Sequence, residues 1–261
     1  MKKMWLVCGF VMCAMIIAPL MAVAAGGPGP VKISTMTRVE SHTKVSDTNN
    51  GYSGQMYAYN MISATRQLQK NVLGNLYYLN QYDIDEERVS AHIGGVTLIR
   101  LFSKKWIGTF GYTYSSNPGH DVLRLGAIND YVELDNSDKF SVSMLYNINP
   151  KSKCIKYSLY SAYGTTTGLN AQKAITEKLD ATFPIFSKRF TGNAGYAMNY
   201  SLDTDANGDR LGQLTNQYTA NLTYATGKST KVALGYLFVD KMYGSAPDDQ
   251  VGRLSLLHNF R

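Results

Sequence analysis

Residues 175–202 read ITEKLDATFPIFSKRFTGNAGYAMNYSL, and their alternation decides the fold. In the first half Ile175, Leu179, Ala181, Phe183 and Ile185 share one face, and Thr176, Lys178, Asp180 and Thr182 the other. Glu177 is the one charge on the apolar side. After the short turn Phe186-Ser187-Lys188, Phe190, Gly192, Ala194, Tyr196, Met198 and Tyr200 alternate with Arg189, Thr191, Asn193, Gly195, Asn199 and Ser201. Two long period-2 runs joined by a tight turn predict a β-hairpin. Strands of soluble proteins usually run about five or six residues. Strands of about ten, apolar on one face only, suit a tilted membrane-spanning strand.

The unit repeats along the chain. Runs of the same kind lie at 31–45, 55–68, 75–84, 89–102 and 106–115, and again at 139–148, 154–163, 217–225, 231–239 and 251–260. With the opening hairpin this predicts an all-β fold, a single antiparallel up-and-down transmembrane barrel of about twelve strands. Connections alternate between short and longer, and an even count places both ends of the wall on the short-turn side. Charge tests the scheme independently. Of 19 Asp and Glu, all but Glu40, Glu177 and Asp180 fall in or beside the longer loops. The short turns carry Lys70, Lys104, Lys105, Lys151, Lys153, Lys188 and Lys228. Basic residues scattered in this way argue against a nucleic-acid partner.

The N-terminus has a different character. Lys2 and Lys3 precede an apolar run over 5–21, and Ala22-Val23-Ala24 fits a small-residue cleavage site. Residues 1–25 are therefore expected to be a secretory signal peptide and 26–261 the barrel domain. Removing Lys2 and Lys3 lowers the formal charge of +7 by two, to +5. Cys154 is then the only cysteine, so no intrachain disulfide forms.

The part of the chain after the leader resembles a Gram-negative outer-membrane β-barrel protein of the porin-like type. Such barrels end in a strand whose terminal aromatic residue is read by the barrel-assembly machinery. Here Leu254, Leu256 and Phe260 give the alternation, with Arg261 making the aromatic penultimate. The resemblance implies residence in the outer membrane, with outer-membrane lipid and lipopolysaccharide as surroundings.

Several features bear on function. Tyr57, Tyr59, Tyr77, Tyr78, Tyr112, Tyr114, Tyr196, Tyr200, Tyr236 and Phe238 lie near strand ends and suit membrane girdles. The polar faces carry Arg38, Arg66, Arg100, Lys139, Lys156, Lys178, Arg189 and Arg253, which are expected to line the lumen and favour anions. Pairing with Glu40 and Asp180 inside a closed lumen is the opposing reading. Asp203, Asp205, Asn207 and Asp209 resemble the start of an EF-hand calcium loop, but Leu214 stands where the bidentate Glu belongs. Calcium is the one cofactor candidate. His42, His92, His120 and His258 fall in no recognisable hydrolase setting. The expected function is a channel for passive passage of small hydrophilic solutes, with mild anion preference and an entrance shaped by the loop 117–136. A closed structural or partner-binding barrel and an outer-membrane hydrolase are the alternatives.

Overall fold

The computed structural model of the chain describes residues 29–46, 52–116, 122–123, 132–133, 137–152, 155–166, 173–204, 210–241 and 248–260. The expected leader, Cys154, His120 and most of the loop 117–136 lie outside them.

Fourteen strands follow in order. They are β1 (Lys32–Ser46), β2 (Tyr52–Gln69), β3 (Val72–Asp83), β4 (Arg88–Leu101), β5 (Trp106–Ser116), β6 (Val122–Leu123), β7 (Val132–Glu133) and β8 (Ser137–Asn147). Then come β9 (Lys156–Thr166), β10 (Lys173–Ile185), β11 (Ser187–Thr204), β12 (Arg210–Ala225), β13 (Thr230–Lys241) and β14 (Asp249–Asn259). Twelve of them close into one antiparallel barrel in the order β1-β14-β13-β12-β11-β10-β9-β8-β5-β4-β3-β2. The strands β6 and β7 pair only with each other, inside the β5–β8 connection. Closure runs through β1 and β14, from Ser34 opposite Asn259 to His42 opposite Val251. The hairpin of residues 175–202 pairs as the alternation requires, Ile175 with Tyr200 through Pro184 with Thr191. Its turn reduces to Phe186, fully exposed with a φ of 53°, a left-handed conformation rare for a bulky residue.

The pairings fix which residues share a face. Phe110, Val142, Leu159, Leu179, Leu222, Leu234 and Leu254 are exposed on the outward face. Aromatic pairs bound this apolar surface. Trp106–Tyr146 (ring centroids 4.5 Å apart) and Phe190–Tyr224 (4.6 Å) lie toward the short turns. Tyr112–Phe140 (5.1 Å) and Tyr218–Phe238 (6.1 Å) lie toward the longer loops. Such rings at both edges of an apolar band are the girdles of a membrane barrel.

The wall of β2–β4 departs from the expected phase. Tyr57 and Tyr59 are opposite Glu40 and Arg38, and Tyr77 is opposite Ser63. All three point inward and are corrections to the girdle assignment. With Leu79, Ala91, Ile93 and Met61 they form an apolar cluster inside the barrel. A second inward cluster joins Leu237, Val239 and Val251. Tyr78, Tyr112, Tyr114, Tyr196, Tyr200, Tyr236 and Phe238 do face outward, consistent with the girdle.

The clusters make a paired prediction. A side chain at Gly95 would run into the Tyr77 ring, whereas one at the outward Gly94 would meet nothing within 4 Å. Gly95→Val is expected to destabilise by about 1–3 kcal/mol through overpacking, and Gly94→Val to be near neutral. Urea unfolding in detergent micelles, followed by Trp106 fluorescence, measures both; equal midpoints would contradict the packed interior.

Candidate functional site: the lumen

The lumen has two levels. Toward the longer loops every barrel strand contributes a buried inward residue. These are Glu40, Tyr57, Gln81, Ile93, Ser115, Ser143, Ala162, Thr176, Asn199, Gln217, Val239 and Val251, from β1 through β14. Thr176 Oγ1 donates to Asn199 Oδ1 (2.7 Å), and Asn199 Nδ2 donates to Thr215 Oγ1 (2.8 Å). Toward the short turns the inward side chains are partly exposed, among them Ser158, Asp180, Thr182, Asn193, Thr219 and Asn221. Inside a closed wall, that exposure is to the lumen itself.

The buried level holds charge, centred on the β1–β14 seam. Glu40, itself 0% exposed, is ion-paired with Arg253 Nε at 2.8 Å and accepts from Arg38 Nη1 at 3.3 Å. Arg38 Nε also donates to Ser255 Oγ (3.3 Å). His42 sits between two carboxylates, with Nε2 at 3.4 Å from Glu40 and Nδ1 at 2.9 Å from Asp249. Asp249 Oδ1 accepts from the Thr43 amide at 3.1 Å. The Tyr57 ring meets the His42 ring edge-on at 5.6 Å. Buried ions persist only when paired, and here Glu40 borders the guanidinium groups of Arg38 and Arg253.

Of the eight cations read as lumen-facing, Arg38, Arg253, Lys139, Lys156, Lys178 and Arg189 share the inward face. Arg66 and Arg100 do not. Arg66 is opposite Gly74, and Arg100 opposite Val72, in the outward register of their strands. The reason is the inward apolar cluster: β2 and β4 are apolar on both faces, so alternation gives no phase, and a cation is a poor guide at a strand end. Arg66 Nε donates to Gly29 O (2.9 Å), and Arg100 lies over the Phe102 ring, 5.3 Å from its centroid. Lys178 pairs with Asp180 at 3.0 Å.

Two further lysines, Lys32 and Lys231, share the inward face beyond the eight cations expected there. With Lys156 and Arg189 they stand on alternate strands, β9, β11, β13 and β1, and all four are exposed. The register sets their level. Lys156 leads through Thr182, Asn193, Asn221, Gly235 and Arg253 to Glu40. Six strand steps at about 4.8 Å and about 40° tilt climb roughly 18 Å. The run back along β1 from Glu40 to Lys32 descends roughly 20 Å, so the two lysines are level. Lys231 pairs with Ala225, in the row that reaches Arg189. The short turns contain no Asp or Glu, so the four cations form an arc at this mouth without acidic neighbours from the turns.

Other expected sites fare differently. Asp203 Oδ2 accepts from the Lys173 amide (2.7 Å), while Asp205, Asn207 and Asp209 lie outside the described residues. No cluster of His, Cys, Asp and Glu suited to a metal occurs among the described residues. His92 Nδ1 bonds the Tyr78 hydroxyl (2.7 Å) on the outward face, and His258 Nδ1 bonds Thr230 Oγ1 (2.8 Å). Glu177, the charge on the apolar face, accepts from Ser161 Oγ at 2.7 Å.

The seam network predicts strong coupling. Arg253→Gln strips a buried carboxylate of its shortest partner and is expected to cost about 3 kcal/mol. Adding Glu40→Gln should recover part of that loss, so the double variant costs less than the sum of the single ones. Urea midpoints of the three variants test this; strict additivity would show that the network is not coupled.

No family model and no curated protein matches the sequence. Among solved structures the chain is similar to a KdgM porin, with 12% identity, 87% of this chain and 99% of that chain covered, and a TM-score of 0.53. It is similar to a COG4313 outer membrane channel from Pseudomonas putida F1, with 10% identity, 89% and 96% covered, and a TM-score of 0.57. A NanC porin gives 8% identity, 85% and 98% covered, and a TM-score of 0.52. At these identities the likeness is one of fold, and the fold is the closed antiparallel barrel that these outer-membrane proteins share.

Proposed function

We infer that the protein is an outer-membrane channel for passive passage of small hydrophilic solutes, with a mild preference for anions. One observation carries the reading: the turn-end half of the lumen carries partly exposed polar side chains inside a closed wall and is rimmed by Lys32, Lys156, Arg189 and Lys231. Cations without acidic neighbours in the turns raise the local concentration of anions and lower that of cations. The outward apolar band and its girdles support placement in a membrane. The apolar run after Lys2 and Lys3 supports export through a cleaved leader. Similarity to porins in fold supports the channel reading, and one KdgM porin was solved with disordered oligogalacturonate, a polar solute. The buried level is then the constriction that sets the size limit.

That same level favours a second reading, a barrel closed to solutes that serves a structural role. Conductance separates the two. In a planar bilayer under a salt gradient, steady openings with anions more permeant than cations are expected. Replacing Lys156, Arg189 and Lys231 with Gln should lower the anion-to-cation permeability ratio by about twofold or more, since charge at a pore mouth acts on counter-ion concentration. A folded but silent barrel would establish the closed reading, and an unchanged ratio would remove the cation arc from the mechanism.

A further inference from the structure

We propose that the outward surface at the turn end of β2–β4 binds the phosphate of an anionic glycerophospholipid. The proposal rests on the membrane-spanning reading above and is independent of whether the lumen conducts. The β2–β3 turn and the end of β4 enclose a cavity of about 300 Å³, lined among others by Gln69, Lys70, Asn71, Arg100 and Phe102. Its lining brings two cations and two side-chain amides together and includes no carboxylate. The Leu101 amide donates to Asn71 O at 2.8 Å and ties the two walls to each other. A guanidinium offers paired N–H donors to phosphate oxygens, and a lysine ammonium adds a point charge.

The surroundings suit a lipid rather than a free ion. Arg100 rests on the exposed ring of Phe102, and Phe102 in turn lies over Gly108. Leu68 lies over Gly74 in the same way. The cavity therefore opens onto apolar surface on the outward side, and Leu98 and Val96 continue that surface up β4. Arg66 is opposite Gly74, whose other neighbour is Leu98, so strand tilt brings Arg66 level with Arg100. The Trp106–Tyr146 pair marks the edge of the apolar band beside it, the depth at which headgroups lie. A zwitterionic headgroup would bring an ammonium to a place without carboxylates, whereas an anionic one brings none.

The test uses the full chain, folded in neutral detergent and checked by its β-type circular dichroism. Native mass spectrometry compares retention of phosphatidylglycerol and phosphatidylcholine, with inorganic phosphate as competitor. Phosphatidylglycerol should be retained preferentially, and Lys70→Gln with Arg100→Gln should reduce its retention at least about fivefold, each basic residue near an anionic surface contributing on that scale. Arg100→Lys should keep most of it, and Lys228→Gln on the opposite wall should leave it unchanged. Equal retention of the two lipids, full retention by the double variant, or displacement by inorganic phosphate would each overturn the proposal. A chain found in the soluble fraction without detergent would instead overturn the membrane reading on which it rests.

Discussion

A wall surrounded by hydrocarbon has no water to satisfy its peptide groups, so each must bond within the wall. Everything else in the structure depends on this. It forbids a free edge and therefore forces β1 onto β14. Closure then fixes the parity of the whole barrel, because a slip of one residue anywhere would turn a strand inside out. The irregularities in pairing sit toward strand ends, between His42 and Val45, Gln67 and Gln69, Gln81 and Tyr82, Pro184 and Ile185, Asn199 and Tyr200, and Ser201 and Thr204. The middle of each strand keeps unbroken alternation, where inside and outside differ most.

The same closure explains how charge is distributed. At the buried level an ion has no solvent, and the chain meets that constraint by setting Glu40 between Arg38, Arg253 and His42. At the turn-end level the inward side chains are exposed, and cations stand there without paired carboxylates on the turns. A single inward face thus carries two electrostatic regimes, one compensated and one exposed. The seam where the barrel closes is also where the compensated charges concentrate, so side chains reinforce the β1–β14 pairing that backbone bonds define.

Architecture was largely legible in the sequence. The hairpin 175–202, the twelve barrel strands and the short turns were all readable because one-sided burial forces a period of two. Lys178 beside Asp180, and Arg38 beside Glu40, were readable because each pair lies two residues apart on one face. The wall of β2–β4 was not. There Tyr57, Tyr59 and Ile93 face in while Val96 and Leu98 face out. With both faces apolar, alternation loses its contrast, and Arg66 and Arg100 were given the wrong side. The contribution of Lys32 and Lys231 was hidden for another reason: it is a property of register between strands, which no single strand displays.

The two inward apolar clusters have a consequence for how such a chain changes over generations. They lie on β2–β4 and on β13–β14, on either side of β1, and so gather the inward apolar packing on one side of the barrel. The facing side, β8–β12, is lined toward the turns largely by partly exposed polar residues such as Ser158, Thr182, Asn193 and Thr219. Substitutions there alter the shape and chemistry of the lumen at little cost to folding, while the packed side holds the wall in register. In the proposed channel, substitution on one side would thus retune what the lumen admits without risking assembly on the other.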